Sequence, residues 1–295
     1  MSHNHSHHVF GSSFKLFFVL IFNLIITVVE FLGGLFSNSL ALLSDSFHNF
    51  TDTVAIALTF LGIKVSQKDK DKKKTYGYKR AQIIIAFVNS LVLILVCLYL
   101  LYEGIYKIIS PTEVKSSLML IIAIIGFVAN LLSVLLLREE SSSSLNIRSS
   151  YLHLFSDTLS SVGVIIGALV MKFFNIYFVD GLVTIMISLY IIYETFSIFK
   201  KSIDIFMQGS SLDYSKIRDR IILINGIKNI HHMHSWMLDE NTLHFEAHIK
   251  LDDLKLSDVH KIYQEIEEIL ENEFSVSHIT IQPEFIGCTD NICGE

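Results

Sequence analysis

Apolar residues run almost unbroken through six stretches of the chain, near 14–36, 40–63, 81–108, 117–137, 150–172 and 176–199. Polar residues gather between them. Each stretch is long enough to cross about 30 Å of hydrocarbon as a helix, so six transmembrane helices are predicted. The third is long for one span and is expected to tilt or to project from the membrane. From about residue 205 the pattern shortens and alternates. DYSKIRDRIILI reads as a helix, NIHHMHSWML and TLHFEAHIKL as paired strands, and LSDVHKIYQEIEEILENEF as an amphipathic helix, with SVSHITIQPE closing the unit as a strand. Helix–strand–strand–helix–strand predicts a small α+β sandwich with its helices on one sheet face. The expected fold class is an α-helical membrane protein, with six transmembrane helices followed by a small α+β domain. Its expected parts are a His-rich tail over 1–13, a membrane domain over 14–204, an α+β domain over 205–287 and a Cys-containing tail over 288–295.

Composition supports that division. Hydrophobic residues make up 51% of the 295 positions and charged residues only 18%, which excludes an ordinary soluble domain. The net charge of −6 says little about partners, because acidic and basic residues are segregated. No basic stripe with interleaved aromatics is present, so nucleic acid is not an expected partner. Three cysteines are too few for a disulfide framework; Cys97 lies in an apolar run, while Cys288 and Cys293 sit together near the C-terminus. The start, MSHNHSHH, lacks the basic and short apolar regions of a cleavable signal, so the first apolar run is expected to be retained as a span. Its histidines His3, His5, His7 and His8 have metal-binding composition.

Charge also sets an orientation. The segment 64–80, KVSQKDKDKKKTYGYKR, carries eight Lys and Arg; Arg138, Arg148, Lys200 and Lys201 fall on the same side. Lys107, Lys115 and Lys172 fall on the other. The positive-inside rule then places both termini and the basic loops in the cytoplasm.

Two of the apolar stretches carry ionisable groups at membrane depth. HNFTDT places His48 and Asp52 four residues apart, and HLFSDT repeats that spacing with His153 and Asp157. Four residues is about one helical turn, so each pair shares a helix face. Such groups are expensive in lipid and by default mark an ion pathway. The second span enters from outside and the fifth from inside, so the two motif helices run antiparallel and overlap in depth. Two imidazoles and two carboxylates together form an N₂O₂ donor set suited to a divalent transition metal such as zinc. Fully deprotonated, that set carries charge −2, which either one divalent cation or two protons would cancel. Metal ligands must be deprotonated, so metal and proton compete and exchange of one for the other is expected. Asp45, one turn before His48, is read as an outer-shell, entrance or helix-end residue. Asn23, Glu30, Asn89, Glu103, Asn130, Asp180 and Glu194 are read as interhelical or interfacial groups.

With these residues in view, the chain resembles the zinc-transporting branch of the cation diffusion facilitator family, of the bacterial cadmium, cobalt and zinc efflux type. The resemblance rests on NSLALLSDSFHNFTD at 38–52, TYGYKRAQIIIAFVN at 75–89, HLFSDTLSSVGV at 153–164 and IHHMHSWML at 230–238, in the family's order and over nearly the whole chain. It implies a homodimer with six spans per protomer and a cytoplasmic domain of metallochaperone-like, ferredoxin-like fold. It further implies zinc export by alternating access, driven by protons as counter-ion, with His48, Asp52, His153 and Asp157 as transport ligands. His231, His248 and His278, with Glu284, match the positions at which relatives bind zinc in the cytoplasmic domain. Cys288 and Cys293 resemble a terminal Cys pair of some relatives, with a looser spacing. His232 stands where the family commonly has Asp, and Lys79 where some relatives have a loop histidine, which argues against a metal site in that loop.

Other classes fit the same residues less well. An intramembrane metalloenzyme would need an open coordination position, a base and a cleft, and neither HExxH nor GxSxG is present, so no enzymatic activity is expected. A membrane-anchored zinc sensor that does not transport is the alternative, but it leaves the paired intramembrane motifs without a task. The expected location is a multi-pass position in a bacterial plasma membrane, with the lipid bilayer and divalent metal ions as partners.

Overall fold

The computed structural model describes residues 6–66, 68, 70–138 and 145–285, with side chains from residue 21 onward except 55–57, 59–61, 63, 64, 137, 145–150, 152 and 153. The N-terminal histidines, the His153 side chain, Cys288 and Cys293 therefore lie outside the described residues. Six long helices come first: α1 (Ser6–Ser37), α2 (Leu40–Ser66), α3 (Ala81–Ile109), α4 (Ser116–Arg138), α5 (Leu145–Phe174) and α6 (Phe178–Phe206). They are followed by α7 (Tyr214–Ile221), β1 (Ile227–Met237), β2 (Leu243–Leu251), α8 (Leu256–Phe274) and β3 (His278–Glu284). The chain divides into two compact units, one formed by 1–60 with 88–198 and the other by 61–87 with 199–295.

Among the described residues, four helices are long and apolar enough to cross a membrane by length and composition: α3, α4 over Ser116–Leu136, α5 over Leu154–Phe174, and α6. The described apolar part of α1, Ile21–Ser37, is shorter. In α2 the apolar run is broken by Asp45, His48 and Asp52. The first unit is built inside out. Its centre is filled by Leu42, Cys97, Met119, Val164, Met171 and Ile191, while Leu95, Tyr102, Ile121, Leu135, Ile166 and Tyr193 point outward. An apolar exterior of this kind suits a hydrocarbon surround. Where α3 meets α6 the backbones nearly touch: a Cβ added at Gly181 would lie 2.5 Å from the Gly104 carbonyl oxygen. Small residues at a helix crossing permit that approach.

A buried polar cluster joins the end of the bundle at which α1 turns into α2. Asn38 closes α1 in the left-handed region (φ 59°), and its side-chain amide donates to Thr112 Oγ1 and to the Glu113 carbonyl. Ser39 caps α2, its Oγ accepting from the Leu42 N–H at 3.2 Å. Asp180 of α6 caps the same helix from outside. It accepts from Ser39 Oγ at 2.6 Å and from the Leu40 N–H at 2.7 Å, and pairs with Lys107 Nζ of α3 at 2.8 Å. The ammonium also donates to the Asn38 carbonyl at 2.5 Å. A carboxylate at a helix N-terminus is favoured by the partial positive charge there.

The second unit contains the predicted helix–strand–strand–helix–strand order. Its sheet runs β1-β2-β3, antiparallel between β1 and β2 and parallel between β2 and β3, with α8 as the crossover. Ile217 and Ile221 of α7 and Val259, Ile262, Ile266 and Leu270 of α8 pack on the sheet face that carries Phe245, Ala247 and Ile249. Asp213 caps α7 by accepting from the Ser215 and Lys216 N–H groups; the Lys216 amide leads in holding its carboxyl below the ordinary range. Alternation along β2 therefore places His244, Glu246, His248 and Lys250 on the opposite face. On β1 a bulge between His231 and His234, with His232 in the left-handed region (φ 50°), adds one residue to the strand. The added residue shifts the parity, so that His231 pairs with His248, His234 with Glu246 and Trp236 with His244. All three β1 side chains thus belong to the helix-free face.

Candidate metal centre

The α2 motif and one member of the α5 motif meet. His48 Nδ1 lies 3.5 Å from Asp52 Oδ2, one turn along α2, and His48 Nε2 lies 3.3 Å from Asp157 Oδ1 on α5. All three residues offer donor atoms within 4.8 Å of one another. His48 and Asp157 are buried, while Asp52 is partly exposed. A tetrahedral ion with bonds of about 2.0–2.2 Å sets neighbouring donor atoms roughly 3.3–3.6 Å apart, so the 3.3 Å His48–Asp157 separation matches one edge of such a site. The other edge needs a small change. As the side chains stand, the imidazole turns its two nitrogens to two different carboxylates, and one metal can take only one nitrogen per ring. In this arrangement a protonated His48 is paired on both sides; a metal bound to Nε2 would require that proton to leave. His153 lies one helical turn before Asp157 in α5.

The surroundings hold α2 in place. Ser160 Oγ donates to Asp45 Oδ1 at 2.8 Å, joining α5 to α2 one turn from His48. Asn49 Nδ2 donates to Glu30 Oε2 of α1 at 2.9 Å, and Gly126 of α4 leaves room for the other Glu30 oxygen, which an added Cβ would overlap. Asn130 Nδ2 reaches Ser161 Oγ at 3.4 Å. Asp45 thus supports the motif helices through serines, an arrangement for which the sequence pattern offered only the one-turn spacing as a signal. Glu30, Asn130 and Asp180 take the interhelical bonds expected of them, whereas Glu194 bonds within its own helix to Tyr190 at 2.6 Å.

A second group of donors stands on the helix-free face of the sheet. Glu284 lies between two imidazoles: His248 Nδ1 is 2.7 Å from its Oε1, and His231 Nε2 is 3.3 Å from its Oε2. Both ring nitrogens of His231 are buried and without a hydrogen bond. Two imidazoles and a carboxylate fit an N₂O donor set for a transition metal, whose further position a solvent or a fourth side chain would fill. The parallel register explains the convergence: His248 pairs with Gln282 on β3, two residues before Glu284.

His278, expected from the sequence to share that cluster, is placed elsewhere. It sits against His244, with ring centroids 4.9 Å apart, at the other end of the same face. His244 is four residues from His248, which along a strand is about 13 Å. Burial first, then the charges of His278 and Lys79, hold the His244 imidazole below its ordinary range, with Asp239 opposing.

Comparison with known proteins gives the geometry a context. Residues 16–207 match the family described as cation efflux transmembrane domain, and residues 210–285 match cation efflux protein, cytoplasmic domain. The chain is 33% identical to the metal cation efflux system protein CzcD of Cupriavidus metallidurans, over 98% of this chain and 92% of that protein. It is 35% identical to the cadmium, cobalt and zinc/H(+)-K(+) antiporter of Bacillus subtilis, over 96% and 92% respectively. The zinc transporter ZitB of Pectobacterium atrosepticum is 33% identical over 99% and 92%.

Proposed function

Since the chain belongs to the cation efflux family, a family of membrane transporters and not of enzymes, we propose that it exports zinc, with cadmium and cobalt as further cargo, in exchange for protons. The observation that carries this reading is the buried contact of His48 with Asp157, which joins two motifs 109 residues apart (157 − 48) around one imidazole. His48, Asp52 and Asp157 hold the cargo with His153 as fourth ligand, and the ion is released when protons return to the same groups. Helix rocking exposes the site to one side and then the other. Six spans, a division into a membrane domain over 14–204 and a cytoplasmic α+β domain over 205–287, and cytoplasmic termini complete the proposed layout. The basic segment 64–80 supports the orientation by the positive-inside rule. Lys107 weighs little against it, being buried in its pair with Asp180. The working form is a homodimer, a reading supported by the match to the family's cytoplasmic domain, in a bacterial plasma membrane, as the bacterial sources of the relatives suggest.

The test is zinc uptake into liposomes holding the purified chain, under an imposed pH gradient. Uptake that follows the gradient and stops when it is collapsed is the expected result. No uptake, together with tight zinc binding by the same protein, would replace this reading with that of a zinc sensor.

His231, His248 and Glu284 form the proposed regulatory zinc site, and Cys288 and Cys293 are further donors proposed from the sequence. In an Asp52→Asn/Asp157→Asn background the zinc retained by the full chain reports on that site. Adding Glu284→Gln is expected to weaken retention by at least about tenfold, as loss of a charged donor does. Unchanged retention, read by competition with a chelating dye, would remove Glu284 from the ligand set.

A further inference from the structure

The basic segment before α3 lies against the sheet of its own unit. Asp71 shapes it, accepting from the Lys73 and Lys74 N–H groups at 2.7 Å each and from Tyr78 OH at 3.1 Å. Gly77 then turns the chain with φ 71°, and Lys79 Nζ donates to Thr242 Oγ1 at 3.3 Å. The segment covers His244. That side chain is only 4% exposed although it stands on the helix-free face, because Trp236 stacks on it (5.2 Å between centroids, 18°) and Tyr76 meets it edge-on at 5.3 Å. Its Nδ1 is buried and has no hydrogen-bond partner.

Beside this imidazole is a cavity of about 530 Å³, bordered by Lys68, Lys70, Lys79, Thr242, His244 and His278. A second cavity, lined by Lys73, Lys74, Arg80 and Trp236 among others, adjoins the same segment. Among the described residues, no carboxylate lines either cavity. Asp71 is already engaged by two amides and a phenol. Lys68, Lys70 and Lys79 gather like charges on one cavity, with Asp239 acting on His244 in the opposite sense, and like charges so gathered favour an anion between them. Ammonium groups, hydroxyls and imidazoles are the donors that phosphate oxygens take, and Trp236 and Tyr76 cover the His244 ring. The His231–His248–Glu284 group differs in having a carboxylate between its imidazoles.

We propose that the cavity between the 68–80 segment and the β2–β3 end of the sheet, with His244 at its wall, binds a phosphate-bearing anion. Lys68, Lys70 and Lys79 supply the charge, Thr242 and His244 supply directed hydrogen bonds, and Trp236 lies against the imidazole. The phosphate belongs either to a lipid headgroup or to a soluble phosphate compound, since both present the same oxygens. This site is independent of the zinc sites and stands whether or not the chain exports metal.

Trp236 is the single tryptophan of the chain, so its fluorescence reports on this place alone. The full-length protein in uncharged detergent is titrated with inorganic pyrophosphate at constant ionic strength. In parallel, nanodiscs of zwitterionic phosphatidylcholine are compared with nanodiscs containing anionic phosphatidylglycerol, with calorimetry of the pyrophosphate titration as a second readout. A saturable response in detergent assigns a soluble phosphate; a response only in phosphatidylglycerol nanodiscs assigns the headgroup. In either arm Lys70→Gln/Lys79→Gln is expected to weaken the response by at least about tenfold while leaving thermal unfolding in place. A response that follows ionic strength alone, one indifferent to the lysine substitutions, or silence in both arms and in calorimetry overturns the proposal.

Discussion

Zinc uptake by liposomes containing Asp157→Asn is expected to fall by at least about 100-fold, to the level of empty vesicles, while the protein still purifies as a folded species. Asparagine keeps the volume and a carbonyl oxygen 3.3 Å from His48 Nε2, so packing between α2 and α5 has little reason to change. What it removes is the charge. The proposed donor set of two carboxylates and two imidazoles then carries −1, and a bound divalent ion leaves a net positive charge at membrane depth, where uncompensated charge is expensive. The same substitution removes a group on which a returning proton can sit, so both halves of the exchange are lost together. Asp52→Asn is expected to act in the same direction, although Asp52 is less buried and can be replaced in part by water. Ser160→Ala, which removes only a bond to Asp45, is expected to be the milder change. Full transport by both Asp variants would show that the cargo does not pass through this group.

The second large effect concerns stability. Lys107→Met is expected to lower the stability of the membrane unit by about 3–5 kcal/mol, the usual consequence of leaving one member of a buried ion pair without its partner. Asp180 is fully buried, and Lys107 is its only described cationic partner, at 2.8 Å. Its remaining contacts, Ser39 Oγ and the first amides of α2, stabilise a carboxylate but do not neutralise it. Thermal unfolding in detergent reads the change. Adding Asp180→Asn to Lys107→Met is expected to recover much of the loss, because the amide can still accept from the Leu40 N–H without bringing a charge. A double variant no more stable than Lys107→Met alone would mean that the pair acts through shape and not through charge.

These two results depend on features of different legibility. The HxxxD pairs are visible in the sequence because one helical turn is a local relation, and because a charged group within an apolar run stands out against its neighbours. The Lys107–Asp180 pair is not visible in that way. Lys107 reads as a flanking positive charge and Asp180 as an interfacial acid, and only the crossing of α3 and α6 at Gly104 and Gly181 brings both to the start of α2. The histidines of the α+β unit show the same limit. Alternation along IHHMHSWML cannot reveal the extra residue at the His232 bulge, so it cannot say which imidazoles share a face. For that reason His278 joins the candidates by motif, although the fold sets it beside His244 and leaves His231, His248 and Glu284 together.

By itself, then, the sequence determined the long helices, the order of elements in the α+β unit, the two HxxxD pairs and the segregation of positive charge. All of these rest on periodicity, local spacing or composition, which a linear chain displays directly. The tertiary structure alone decided which His48 nitrogen meets which carboxylate, how Asp180 caps a helix 140 residues away, and why a basic segment encloses a neutral imidazole. Those relations depend on helix crossings, a strand bulge and a loop docked on a sheet, where groups distant in sequence meet because burial leaves them no solvent to turn to.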